Sequence, residues 1–190
     1  SFGCEFATIK SAESNEDAIL LDVLTHLGIS EGTLFEFGVG AGVQCNTLLL
    51  LKLKQLAYKF VWGENRLTAI ESIRALHAKE LSIGRLRLLE DTIRPDNVNE
   101  LIDTKVGSPI VISVDIDGND YHVVKAIEFK PPVFVVEYAA QFGVEVSVVQ
   151  GYDPEYRFDR RSYVGTSLAG WQELFRQKGY SLVACSLNGV

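Results

Sequence analysis

Methionine is absent from the 190 residues, position 1 included, so the chain is expected to lack its native start. Cysteine is scarce. Cys4, Cys45 and Cys185 are odd in number and far apart, with no Cys-x-x-Cys pair and no cluster with histidine. That spacing argues against a zinc site or a disulfide framework and suits a reducing, cytoplasmic setting. Long apolar runs are missing too. The greasiest stretch, residues 48–51, is far too short to span a bilayer, and the N-terminus has no basic region followed by an apolar run. Neither a membrane anchor nor a targeting signal is therefore expected. Nor is there a surplus of positive charge: 18 Lys and Arg stand against 25 Asp and Glu, a formal net charge of -7. This disfavours broad binding to nucleic acid or to an anionic membrane and leaves a small molecule as the expected partner.

No internal repeat, low-complexity segment or linker divides the chain, and its length suits one domain, 1–190, burying roughly 70% of its unfolded surface. Short apolar runs alternate with longer amphipathic ones, the pattern of βαβ units and a mostly parallel, doubly wound α/β sheet with helices on both faces. The reading places strands over 33–39, 60–64, 85–89, 110–116, 133–138 and 181–186. Helices are expected over 44–58, 66–83, 97–103, 119–127 and 166–178, the last stopped by Gly179. An N-terminal helical segment lies within 1–30, opened by a capping-box-like pair, Ser14 and Asp17, and ended near Gly28. Leu67, Ile70, Ile73 and Leu76 mark the expected apolar face of the helix over 66–83. Residues 140–165 have no clear period and read as a long substrate-side loop.

The most informative segment runs from Leu34 to Val43. A strand enters three glycines at alternate positions, Gly38, Gly40 and Gly42, and a helix is expected to follow. Glycines permit positive φ and close approach of backbone to a ligand, and a helix N-terminus favours an anionic ligand group. A dinucleotide fingerprint would need Gly or Ala where Val43 stands, and no Tyr-x-x-x-Lys pair is present, so an NAD-dependent oxidoreductase is the weaker alternative. No Gly-Lys-Ser/Thr follows, which excludes a P-loop. At the end of the second strand, Glu64 is placed to accept hydrogen bonds from the vicinal hydroxyls of a ribose.

A second constellation ends the fourth strand: Asp115, Asp117, Asn119 and Asp120. The ends of the first and fourth strands flank the switch point of a doubly wound sheet, so Asp115 and Asp117 should face the ligand cleft. Carboxylates this close repel one another and are best tolerated around a cation, a cationic substrate or a shared proton. Asn119 or Asp120 is expected to cap the next helix. Glu137 ends the fifth strand near the same mouth, and Asp115, Asp117 and Glu137 make a candidate oxygen-rich site for Mg or Mn. His122 is expected on a helix surface.

Glu36 with Gly38, Gly40 and Gly42, then Glu64, Asp115 to Tyr121, Glu137 with Tyr138, and the stretches 151–154, 165–168, 178–180 and 188–190 together resemble FkbM-like S-adenosylmethionine (SAM)-dependent methyltransferases over nearly the whole chain. The resemblance implies a Rossmann-like methyltransferase fold, SAM as methyl donor and usually an oxygen nucleophile on a sugar or small metabolite. It implies cofactor contacts at Glu36, Gly38, Gly40, Gly42, Glu64, Asp91, Thr92 and Asp115. Asp91 and Thr92 would sit on the adenine side, and the glycine loop would wrap the methionine end. Catalytic candidates are Asp115, Asp117 and Glu137. The acceptor would enter beneath 140–165, near Tyr152, Tyr156, Arg157 and Phe158. Ala41 and Ala139 stand where related sequences often carry Asp and Asn, and the chain stops at Val190 where they continue into a further apolar strand. Those departures keep a non-catalytic SAM- or nucleotide-binding module as the alternative.

Overall fold

The computed structural model describes residues 15–102, 106–156 and 165–186. Five parallel strands form one sheet: β1 (Glu31–Phe37), β2 (Ala57–Gly63), β3 (Leu86–Leu89), β4 (Pro109–Val114) and β5 (Val133–Val136), in the order β3-β2-β1-β4-β5. The chain winds outward from β1 in both directions, as expected for a doubly wound α/β fold. Side chains alternate across the sheet and feed two cores. Leu34, Phe60, Trp62 and Val111 pack on one face with α1 (Glu16–His26) and α2 (Leu48–Lys52). Phe35, Phe37, Val61, Ile112 and Val114 pack on the other with α5 (Val98–Leu101), α6 (Asp120–Ala126) and α7 (Leu168–Lys178). Burial on both faces explains the near-continuous apolar run of β4.

Three elements differ from the sequence reading. The helix expected over 44–58 contracts to α2, whose Leu48, Leu49, Leu50 and Leu51 are all buried. The loop after β1 consumes residues before it. Beyond it Ala57 and Tyr58 are drawn into β2 by pairing with Glu31 and Gly32, and Arg85 donates to the Leu50 and Leu53 carbonyls at the helix end. The helix expected over 66–83 is broken into α3 (Leu67–Leu76) and α4 (Ala78–Ser82). At the break His77 turns inward, its ring edge-on to Trp62 at 5.0 Å and its Nε2 2.8 Å from the Gly42 carbonyl. The inward face of α3 is therefore Ala69, Ile70 and Ile73, whereas Leu67 and Leu76 are 76% and 56% exposed.

Residues 181–186 form no strand. Tyr180 Oη donates to the Pro131 carbonyl and Tyr138 Oη to that of Ser186, so the segment runs in the same direction as β5. An apolar groove of 780 Å³ lies along them, walled by Leu20 and Val23 of α1 and by Trp171 and Phe175 of α7. With no ladder between it and β5, the segment lacks the partner that its alternating sequence would need. Ser14 lies outside the described residues, and Asn15 stands at the N-cap of α1 without a side-chain cap. At the other end α7 stops as expected, with Gly179 in the left-handed conformation. Among the described residues, no helix is long and apolar enough to cross a membrane.

Candidate active site

The sheet ladder continues past the strand ends and aligns the site. Gly38 N donates to the Gly63 carbonyl, Glu64 N to that of Leu89, and Asp115 N to that of Phe37. Three consecutive strands thus deliver Gly38, Glu64 and Asp115 to one carboxyl edge. A cleft of 440 Å³ opens there, lined by Gly38, Glu64, Arg66, Asp91, Thr92, Ile93, Arg94, Asp115, Ile116, Asp117, Tyr152 and Tyr156, among others. This is the β1/β4 switch point at which doubly wound sheets bind ligands.

The three glycines do different things. A Cβ on Gly38 would lie 1.6 Å from the Asp115 carbonyl oxygen, so glycine is required there for β1 and β4 to approach. A Cβ on Gly42 would meet Ile73, Trp62 and His77 at 3.0–3.3 Å, a packing constraint behind the cleft. Of the three, Gly40, at φ 56°, has open space, its single neighbour among the described residues being Arg66 Nη2 at 3.6 Å. Gly40 therefore adjoins the cleft through Arg66.

Glu36 faces the loop rather than the cleft. Its buried carboxylate accepts from Asn46 N (2.6 Å), Thr47 N (2.9 Å) and Thr47 Oγ1 (2.5 Å). Thr47 Oγ1 in turn accepts from Trp62 Nε1 (2.9 Å), and Asn46 Nδ2 donates to Ser113 Oγ. Burial outweighs these donors and pushes Glu36 up to about 7. From the far side, Ser72 Oγ donates to the Ala41 carbonyl and His77 Nε2 to that of Gly42, which places the His77 proton on Nε2. The sequence reading missed Asn46, Thr47, Ser72 and His77. The available signal was Glu36 itself, since a carboxylate between Phe35 and Phe37 in a buried strand needs donors nearby.

Glu64 is buried at the end of β2. Its Oε1 accepts from Asn65 N, Arg66 N and Arg66 Nε at 3.0–3.1 Å, and its Oε2 accepts from Arg66 Nη2 at 3.2 Å. Asp91 Oδ1 accepts from Thr92 N, and Thr92 Oγ1 accepts from Asn65 Nδ2, so the ends of β2 and β3 are stitched together at the cleft.

Asp120 shapes the turn after β4. Its carboxylate reaches back to Ile116 N (2.7 Å) and Gly118 N (2.8 Å), which holds Asp117 in the left-handed region at φ 60°. Asn119 occupies the N-cap of α6 without a side-chain cap, and its amide instead exchanges hydrogen bonds with the Asp153 backbone. The capping expected of Asn119 or Asp120 is replaced by support of the turn and of the loop above it. A Cβ on Gly118 would sit 2.4 Å from the Tyr156 ring, and His122 Nε2 bonds the Gln150 carbonyl at 2.8 Å between the rings of Tyr121 and Tyr152. His122 is thus an anchor for the 150–156 segment, which brings Tyr152 and Tyr156 over the cleft. Arg157 and Phe158 lie outside the described residues.

Asp115 reaches the cleft and is pushed well above the usual carboxylate range by burial, then by the neighbouring Glu137, Asp120, Asp117 and Glu36 carboxylates. Asp117 is raised by burial, opposed by the Arg66 guanidinium. Glu137 acts on Asp115 electrostatically without lining the cleft. Among the described residues, no three His, Cys, Asp or Glu side chains gather to hold a metal, so Asp115, Asp117 and Glu137 do not form the Mg or Mn set their spacing suggested. Asp117 feels the Arg66 charge, and Glu137 does not line the cleft.

No family model and no curated protein sequence matches the chain. Solved structures do. The chain is similar to the CMeT domain of the citrinin polyketide synthase at 15% identity and a TM-score of 0.51, over 87% of this chain and 45% of that one. It is similar to CcbJ methyltransferase from Streptomyces caelestis at 15% identity and a TM-score of 0.48, over 73% of this chain and 54% of that one. With precorrin-6y C5,15-methyltransferase from Geobacter metallireducens GS-15 the values are 12%, 0.47, 75% and 70%. The chain spans about half the length of the first two. The class of fold is thereby defined: a Rossmann-like α/β fold shared with the citrinin polyketide synthase CMeT domain. Likeness at these identities defines the fold and no finer family, so the FkbM-like resemblance is one of sequence motifs.

Proposed function

We propose that the chain is a SAM-dependent methyltransferase acting on a hydroxyl of a sugar or another small metabolite in the cytoplasm. The observation that carries this reading is the convergence of Gly38 at the start of the glycine loop, Glu64 and Asp115 on one cleft at the switch point of the sheet. The residues fit the cofactor chemically. Glu64 offers a buried carboxylate whose Oε2 accepts a single hydrogen bond, suited to a ribose diol. Ile93 and Ile116 offer apolar lining, with Asp91 and Thr92 polar beside them. Bound SAM supplies a methyl group made electrophilic by its sulfonium. The chain must position an acceptor and receive its proton. Asp115 is the base: burial and the neighbouring carboxylates raise its affinity for a proton, and its carboxylate oxygen takes the proton as the acceptor oxygen attacks. Asp117 and the rings of Tyr152 and Tyr156 hold the acceptor beneath the 150–156 segment, and Glu137 tunes Asp115.

Incubation with SAM carrying a labelled methyl group and a panel of sugars and hydroxylated metabolites tests the reading. Label is expected in an acceptor oxygen, and Asp115→Asn should lower the rate on the order of 10²–10⁴-fold with SAM affinity nearly retained. SAM binding without transfer to any acceptor would favour a non-catalytic module, and full turnover in Asp115→Asn would move the base elsewhere.

A further inference from the structure

Arg66 stands across the middle of the cleft. Its guanidinium forks onto Glu64 through Nε at 3.1 Å and Nη2 at 3.2 Å, and the charge of Asp117 on the β4 side acts on it. Among the described residues it is also the only group within 4 Å of a Cβ built on Gly40. One side chain therefore covers both features that would receive a nucleoside: the carboxylate for its ribose and the glycine at which a ligand can approach the backbone. The Arg66 side chain is nevertheless 60% exposed, against 4% for Glu64, so it is free to swing into solvent while Glu64 stays fixed by the backbone N–H groups of Asn65 and Arg66.

We propose that Arg66 is a displaceable counter-ion that the incoming cofactor replaces, leaving the Glu64 and Asp117 carboxylates to favour a cationic nucleoside over its neutral counterpart. The inference rests on the reading of the cleft as a SAM site. When Arg66 leaves, Glu64 and Asp117 lose their guanidinium, and a cation entering with the nucleoside restores the balance. The sulfonium of SAM does so. S-adenosylhomocysteine has a neutral thioether in its place and does not, so the product of transfer is the weaker ligand. An exposed arginine suits the role because its ion pair is weak enough to exchange, whereas a buried one would hold the site shut.

Calorimetric titration of the wild-type protein, Arg66→Gln and Arg66→Lys with SAM and S-adenosylhomocysteine tests this, with thermal unfolding confirming that each variant is folded. Arg66→Gln is expected to bind SAM about two- to fivefold more tightly than wild type, the range an exposed ion pair commands, and to widen the preference for SAM over S-adenosylhomocysteine. Arg66→Lys keeps the charge and should leave that preference near the wild-type value. Weaker binding of both ligands by folded Arg66→Gln would overturn the inference and make Arg66 a cofactor ligand. Equal affinity of wild type and Arg66→Gln for SAM would overturn it as well. Absence of SAM binding in all three proteins would instead overturn the reading of the cleft, and the inference with it.

Discussion

Gly38 and Gly40 are two positions apart and answer to different physics. At Gly38 the added Cβ collides with the backbone of β4, which no side-chain rotation relieves. Gly38→Ala is therefore expected to cost at least about 3 kcal/mol or to prevent folding, read as a lowered denaturation midpoint. At Gly40 the Cβ enters open space beside Arg66, and only the left-handed backbone resists it, at about 1–2 kcal/mol. Folded Gly40→Ala should lose SAM affinity on the order of tenfold, about 1.4 kcal/mol, because the Cβ intrudes where a ligand approaches. Unchanged affinity would remove Gly40 from the binding surface. Sequence alone shows three equivalent glycines. Their division into spacer, open position and packing site depends on what stands opposite each one.

At the scale of elements, β1, the loop after it and α2 form a unit clamped at Thr47. The hydroxyl of this fully buried residue donates to Glu36 and accepts from Trp62, joining the strand, the helix entrance and β2. Thr47→Val preserves shape but strands the indole N–H and removes a donor from Glu36, so it should destabilise the fold by about 2–3 kcal/mol. It should also weaken SAM binding by loosening the loop, whereas Thr47→Ser, which keeps the hydroxyl, should restore most of both in denaturation and calorimetry. The existence of β1 to β5 was legible from their apolar runs, and α7 from its position before a terminal glycine. The boundaries of α2, the break at His77 and the unpaired state of 181–186 were not. The first two depend on partners far away in sequence, β1 claiming Tyr58 and the Gly42 carbonyl claiming His77, whereas 181–186 runs along β5 held by tyrosine hydroxyls without a backbone ladder.

For the whole molecule the buried carboxylates set an unusual pH response. Glu36 is raised from 4.5 to about 7, and Asp115, Asp117 and Asp120 are raised as well, each chiefly by burial. Between these values and their ordinary ones the folded chain binds more protons than the unfolded chain. Stability must therefore increase as pH falls through about 7 and decrease as pH rises through it. From Glu36 alone, acidification from about pH 8 to about pH 5.5 should add about 2 kcal/mol to the unfolding free energy, and Glu36→Gln should flatten that part of the profile. Denaturant titrations across this range that show constant or rising stability toward high pH would mean that Glu36 stays ionised in its cage.

The sequence by itself determined the parallel, doubly wound class, the strand ends carrying Gly38, Glu64 and Asp115, and the acidic character of the cleft. These follow from local period and from residue type at strand termini, which the chain carries in its own order. Tertiary structure alone decided that Glu36 serves the loop, that Asp120 builds a turn instead of capping α6, and that His122 anchors the segment above the cleft. It also decided that Arg66 covers Glu64 and Gly40 together. A carboxylate or imidazole bonds whichever donor or carbonyl the packing brings within hydrogen-bonding distance, and no periodicity along the chain encodes that encounter.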